Sequence, residues 1–150
     1  MTCLDLSFTD PTHNLACDEV LLNEVNEGRR EPVLRFWQSP QYFVVLGYSN
    51  SIERECDTVG CSRFNIPIHR RISGGGTILQ GPGCLNYSLV LPIDSCKPTC
   101  NLGQTNNLVL TTHQQSISKA TGRTVTLQGQ SDLAIDNIKF SGNAQRRLSK

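Results

Sequence analysis

Three short stretches of this sequence gather residue types that can do chemistry. The first is His69-Arg70-Arg71-Ile72-Ser73-Gly74-Gly75-Gly76-Thr77. Three consecutive glycines let the backbone approach a ligand with no Cβ in the way, and successive amide N–H groups can form an anion-binding nest. The two arginines beside them offer guanidinium forks suited to phosphate or carboxylate. The same residues also fit a tight turn flanked by solvated arginines, and composition leaves both readings open. No Gly-Lys-Ser/Thr follows the triplet, so it is not a P-loop. The second stretch is Gly81-Pro82-Gly83-Cys84-Leu85-Asn86-Tyr87-Ser88, a rigid turn feeding a strand. Cys84 has no arginine, lysine or acid near it in sequence to stabilise a thiolate, and beside Leu85 it reads as strand packing. The third stretch runs from Ser131-Asp132-Leu133 through Lys139-Phe140-Ser141-Gly142-Asn143-Ala144 to Arg146-Arg147. Strand alternation puts Ile138 and Phe140 on the face opposite Lys139. A lysine there either runs out to solvent or points into a pocket, and the periodicity favours exposure. His13, His69 and His113 show no triad or metal-ligand spacing, and His69 is read as structural or surface.

These stretches need a scaffold, and the totals bound it. A chain of 150 residues suffices for one domain, residues 1–150, around one core. With 37% apolar and 18% charged residues it is globular rather than disordered. A net charge of +1 gives no long-range pull toward nucleic acid or membrane, so any anion site must be local. No apolar run reaches the roughly 18 residues of a membrane-spanning helix. Met1 to Asp10 carries two acids and no basic residue, unlike the start of a secretion signal, so a cytosolic protein is expected. The seven cysteines, Cys3, Cys17, Cys56, Cys61, Cys84, Cys96 and Cys100, are an odd number, which argues against a disulfide framework. The Cys56/Cys61 and Cys96/Cys100 spacings are wider than the gap of a zinc knuckle. Free, partly buried thiols and no protein-built metal site are expected.

Asp10-Pro11 predicts a helix start, a capping acid followed by proline at the first helical position. Leu15, Leu22 and Val25 continue it at near-helical spacing, and Gly28 marks its stop. Val33–Trp37 and Tyr42–Leu46 read as strands joined in a hairpin by the Ser39-Pro40 turn. Ser51 is placed as the cap of a short helix over Ile52 to Thr58. A strand is expected around Ile66 to Ile72, broken by the glycine triplet and resumed at Thr77 to Leu79, with another over Asn86 to Leu91. Thr105 to Ala120 is helical and Gly122 ends it. Short strands follow at Thr124–Leu127, Leu133–Ile135 and Ile138–Phe140. This irregular order predicts an α+β fold, a mixed or antiparallel sheet with flanking helices, rather than a doubly wound one.

In order and spacing, Arg70-Arg71-x-Ser73-Gly74-Gly75-Gly76-Thr77, Gly81-x-Gly83-x-x-Asn86, Ser131-Asp132-Leu133 and Lys139-Phe140-Ser141-Gly142-Asn143-Ala144 resemble the blocks of the lipoate–protein ligase family, within the biotin/lipoate ligase superfamily. The glycine/arginine signature of biotin ligases is absent. The resemblance implies that ATP activates lipoate or octanoate to an acyl-adenylate, and that the acyl group then passes to a lysine of a lipoyl domain. The acceptor would belong to a 2-oxoacid dehydrogenase or the glycine cleavage system, with no nucleic acid or membrane partner. It implies Lys139 as the catalytic residue. The ATP and acyl-adenylate set would be Arg70, Arg71, Ser73, Gly74, Gly75, Gly76, Thr77, Ile78, Leu79, Gln80, Asn86, Asp132, Lys139, Ser141, Gly142 and Ala144. Mg2+ would travel with ATP, and Leu79, Leu85 and Tyr87 are placed by position along the acyl tunnel. Gln80 stands where family members often have histidine. The family domain continues past the position of Lys150 and often adds a small accessory domain, so a truncated form, a fragment or half of a two-chain enzyme is expected. Two other activities stay open: an octanoyl or lipoyl transferase of the same fold, which uses no ATP but a cysteine downstream of the lysine, where this chain has none after Cys100; and a non-catalytic binding protein.

Overall fold

The computed structural model describes residues 1–94 and 97–148. The chain forms two compact units, Met1–Pro92 with Arg146–Lys150, and Ile93–Gln145. Both mix helix and strand, and the α+β expectation holds. Among the described residues no helix is long and apolar enough to cross a membrane.

In the first unit, β1 (Thr2–Asp5), which sequence patterning missed, pairs parallel with β2 (Val33–Trp37). On its other side β2 pairs antiparallel with β6 (Asn86–Val90). α1 (Pro11–Asn26) starts as predicted, with the Asp10 carboxylate accepting from the Thr12 N–H at 2.8 Å and Pro11 in the first turn. It packs Leu21 and Val25 against Val33 and Val90. Alternation along β2 buries Val33, Arg35 and Trp37 on one face. Arg35 is fully buried, and its charge is met by Asp18 at 2.6 Å, the Asn14 side chain at 2.7 Å and two backbone carbonyls. Asp18 also accepts from the Trp37 indole at 3.2 Å. Burial nonetheless pushes the Asp18 carboxyl above its usual range, outweighing the guanidinium beside it.

The predicted β2–β3 hairpin does not form. β3 (Phe43–Leu46) lies in a second sheet, parallel to β4 (Ile68–Arg70) and antiparallel to β5 (Ile78–Gln80). The chain turns a corner between the sheets, and β2 and β3 each pair with strands from later in the chain. The rings of Trp37 and Phe43 stack 6.5 Å apart in one core cluster with Val45, and the Ser39 hydroxyl closes the turn onto Gln41. Nor does β5 resume β4; the two flank β3 on opposite sides, so the glycine loop between them crosses the end of β3. The predicted 52–58 helix splits into α2 (Ile52–Glu55) and α3 (Thr58–Arg63). Ser51 spends its hydroxyl on the Glu53 carboxylate and does not cap α2, whereas Asp57 caps α3 through the Gly60 N–H at 2.9 Å.

In the second unit a short 3-10 turn, Pro98–Cys100, leads into α4 (Leu102–Thr121), which ends at Gly122 in the left-handed region (φ 69°). β7 (Val125–Gln128), β8 (Asp132–Ile135) and β9 (Ile138–Gly142) form an antiparallel meander. Leu110 of α4 packs on Val125 and Leu133.

Candidate functional site

The glycine loop is held from below by a second loop that sequence reading did not single out, Gly47 to Asn50 after β3. Arg70 donates through Nη1 to the carbonyls of Gly47 (2.9 Å), Tyr48 (3.0 Å) and Asn50 (2.7 Å). The Tyr48 N–H donates to the Ser73 carbonyl at 2.9 Å. Arg71 folds back onto its own loop, donating to Gly74 O at 2.7 Å and Gly76 O at 2.9 Å. Asn50 Nδ2 reaches Gly75 O at 3.2 Å and the Thr77 hydroxyl at 3.3 Å.

Every carbonyl from Ser73 to Gly76 therefore has a donor on the protein side. In a trans peptide the C=O and the following N–H point in opposite directions. Each N–H that follows is thereby turned away from its own carbonyl's partner: that of Gly74 from Tyr48, those of Gly75 and Thr77 from Arg71, and that of Gly76 from Asn50. No acceptor meets any of them among the described residues. Gly75 adopts φ 86°, and Gly75 and Gly76 are exposed. Amide dipoles in a loop held by two guanidinium groups have the chemistry that the anion-nest reading asks for. Burial pulls the Arg71 guanidinium below the usual arginine value.

Beside this row, a cavity of about 190 Å³ opens between α1 and the end of β4, walled by Thr12, Leu15, Ala16, Glu19, His69, Arg70, Arg71 and Ile72. Arg71 borders both the cavity and the glycine loop. His69 lines it while its ring tilts against Phe43 at 6.2 Å. At the far end of β5, Gln80 donates to the Asn86 side chain at 2.6 Å, and the buried Gln80 Oε1 has no partner among the described residues.

On β9 the alternation breaks. Ala134 pairs with Lys139, but Leu133 pairs with Ser141, so Phe140 opposes no residue and forms a bulge. As a result Lys139 and Gly142 share a face, together with Asp132. The Lys139 ammonium sits 2.8 Å from the Asp132 carboxylate, and a Cβ added at Gly142 would lie 3.4 Å from Lys139 Cε and Nζ. The lysine side chain is 53% exposed, as its periodicity predicted. Ser141 falls on the other face, and Ala144 lies exposed in the irregular segment after β9.

Residues 10–150 match the family model described as the lipoyl protein ligase A/B catalytic domain. The chain belongs to that family. Among lipoyl ligase relatives, lipoate–protein ligase 1 of Staphylococcus aureus is 30% identical over 95% of this chain and 40% of its own length. The octanoyltransferase LipM of Exiguobacterium is 27% identical over 93% of this chain and 58% of its own. A solved lipoate-protein ligase A bound with ATP superimposes with a TM-score of 0.79 at 23% identity, covering 97% of this chain and 61% of that one, a likeness of fold. The chain thus spans about half the length of the curated relatives it matches.

Of the residues singled out from the sequence, the first unit gathers Arg70, Arg71 and Ser73 to Thr77 into one structure. Ile78 and Leu79 are exposed on β5, and Gln80 with Asn86 forms a separate pair. Asp132, Lys139 and Gly142 come together in the second unit. Leu79 and Leu85 are 57% and 63% exposed, whereas Tyr87 is half-buried and its phenol is pushed up to about 12 by burial. Cys84 is exposed in the turn before β6, not packed in a strand, because the Gly81–Cys84 turn (Cys84 N–H to Gly81 O, 3.0 Å) holds it outside the sheet. Cys3, Cys17, Cys56, Cys61 and Cys84 are free; Cys17, Cys56 and Cys61 are partly buried, Cys3, Cys84 and Cys100 exposed, and Cys96 lies outside the described residues. Gly47, Tyr48 and Asn50 were missed. Their only sequence signal is a glycine directly after a buried apolar strand, a pattern shared by many ordinary turns.

Proposed function

We propose that this chain carries the catalytic part of a lipoate–protein ligase, which activates lipoate or octanoate with ATP and passes the acyl group to a lysine of a lipoyl domain. The observation that carries the reading is the row of four outward N–H groups at Gly74 to Thr77. A carboxylate oxygen attacking the α-phosphorus of ATP is one anion approaching another, and fixed amide dipoles with Arg71 behind them lower that repulsion. Pyrophosphate leaves. The acceptor lysine amine then attacks the acyl carbon and AMP leaves. Lys139 is the proposed catalytic residue, because a compact ammonium can serve the acyl carbonyl and a phosphate oxygen in turn. Asp132, Ser141, Gly142 and Ala144 are proposed to contact the acyl-adenylate with it. The cavity walled by Leu15, Ala16 and Ile72 offers the acyl tail an apolar lining next to Arg71. Mg2+ would arrive on the nucleotide's phosphates, the acceptor would be a lipoyl domain of a 2-oxoacid dehydrogenase or the glycine cleavage system, and the reaction would run in the cytosol.

The Exiguobacterium relative supports a second reading, transfer of an octanoyl group from a thioester without ATP. One experiment separates the two. The protein is incubated with an apo lipoyl domain and either octanoate with ATP or an octanoyl thioester without it, and the acceptor is weighed by mass spectrometry. The expected result is an ATP-dependent octanoyl gain that Lys139→Ala abolishes. Gain from the thioester alone would replace the ligase reading with the transferase, and gain from neither would sink both.

A further inference from the structure

We propose that Asn50 is a positioning residue for the anion-binding amide row, setting the direction of the Gly75–Gly76 peptide. The inference rests on the reading of Gly74 to Thr77 as a phosphate site and adds the group that aims it. Gly75 and Gly76 have no side chains, and glycine populates both signs of φ with little preference, so their shared peptide has almost no intrinsic reason to face one way. Of the four carbonyls in the loop, two are tied by Arg71 and one by the Tyr48 N–H. The Gly75 carbonyl depends on Asn50 Nδ2 at 3.2 Å. With that bond in place the Gly76 N–H faces outward; without it the peptide is free to turn and present its carbonyl dipole to the anion instead.

Asn50 is itself fixed at both ends. Its N–H donates to Gly47 O at 3.1 Å and its carbonyl accepts from Arg70 at 2.7 Å. Its amide also touches the Thr77 hydroxyl, tying down the last residue of the row. Gly47 completes the arrangement, since a Cβ there would stand 2.1 Å from Gly75 O. Arg70 thus reaches the amide row through the 47–50 loop, and Arg71 reaches it directly.

The test uses inorganic pyrophosphate as the probe and the 15N-labelled protein, with amide shifts followed by NMR. In the wild type, the resonances of Gly74 to Thr77 should move on titration. In Asn50→Ala, affinity should fall about tenfold, the loss of one oriented hydrogen bond. The Gly76 amide response should vanish while that of Gly74 persists, a pattern that general loosening would not produce. Asn50→Asp, which keeps the shape and loses the donor, should behave like Asn50→Ala or worse. If wild-type amides do not respond, the phosphate reading fails. If they respond and Asn50→Ala retains both the affinity and the Gly76 shift, the positioning role fails and the phosphate reading stands. If neither variant folds, Asn50 is a folding residue and the positioning role is overturned.

Discussion

Replacing Gly47 by alanine tests how tightly the two loops are fitted. Gly47 has an ordinary φ, so its backbone accepts a side chain; the obstacle is space alone. The new Cβ would lie 2.1 Å from Gly75 O and 3.3 Å from Asn50 Nδ2, where ordinary contact begins at 3.4 Å. Gly47 is buried, so the methyl group has no outward route. Relief requires the loops to part by about 1 Å, and overpacking of this kind costs about 1–3 kcal/mol. Parting also stretches the Tyr48–Ser73 and Asn50–Gly75 hydrogen bonds, each worth about 1 kcal/mol. Against this, alanine restricts the unfolded chain by about 0.4–1 kcal/mol in favour of folding. The net expectation is a destabilisation of about 3 kcal/mol. Urea unfolding followed by Trp37 fluorescence reports it, since Trp37 is the single tryptophan and is 3% exposed in the same unit. Gly76→Ala is the control: among the described residues nothing lies within 4 Å of its added Cβ, so its stability should match the wild type within about 0.5 kcal/mol. A Gly47→Ala midpoint equal to that of the control would refute the close-fit argument.

Two further substitutions probe buried charge and pH. Asp18→Ala should cost about 3–5 kcal/mol, because it strands the fully buried Arg35 guanidinium, whereas Asp18→Asn keeps an acceptor and should cost clearly less; equal urea midpoints for the two variants would contradict this. His113 on α4 is held below the usual histidine value of 6.5 by burial, so the unfolded chain binds the proton more tightly. Its contribution is present above pH 6.5 and lost as pH falls through the lower folded value. Thermal melting by circular dichroism should therefore weaken on acidification below pH 6.5, and His113→Gln should flatten that slope; an unchanged slope would count against it.

Local chemistry was legible in the sequence. Asp10-Pro11 announced α1, Gly122 announced the end of α4, and alternation located β2 to its terminal residues. Strand partnership was not. Ser39-Pro40 looks like a hairpin turn, and only the long-range pairing of β2 with β6 and of β3 with β4 and β5 assigns the two strands to different sheets. The glycine triplet was visible as a candidate anion loop, but the sequence could not tell amides facing out from amides facing in. That depended on four carbonyl partners, two of them in a loop some 25 residues earlier. Lys139 was found by resemblance and its exposure by period, while the placing of Gly142 rather than Ser141 across from Asp132 required an irregularity that no alternating pattern reveals.

Phe140 gives β9 one residue of slack. Because it opposes nothing, the rungs on either side keep their partners whether or not it is present: Lys139 stays across from Ala134 and Gly142 across from Asp132. Were the strand instead to straighten with Phe140 kept, Ser141 would slide beneath the ammonium and put a hydroxymethyl group where there is now only hydrogen. The extra aromatic residue therefore works as a spacer, decoupling the reach of the lysine from the strict odd–even arithmetic of the rest of the meander.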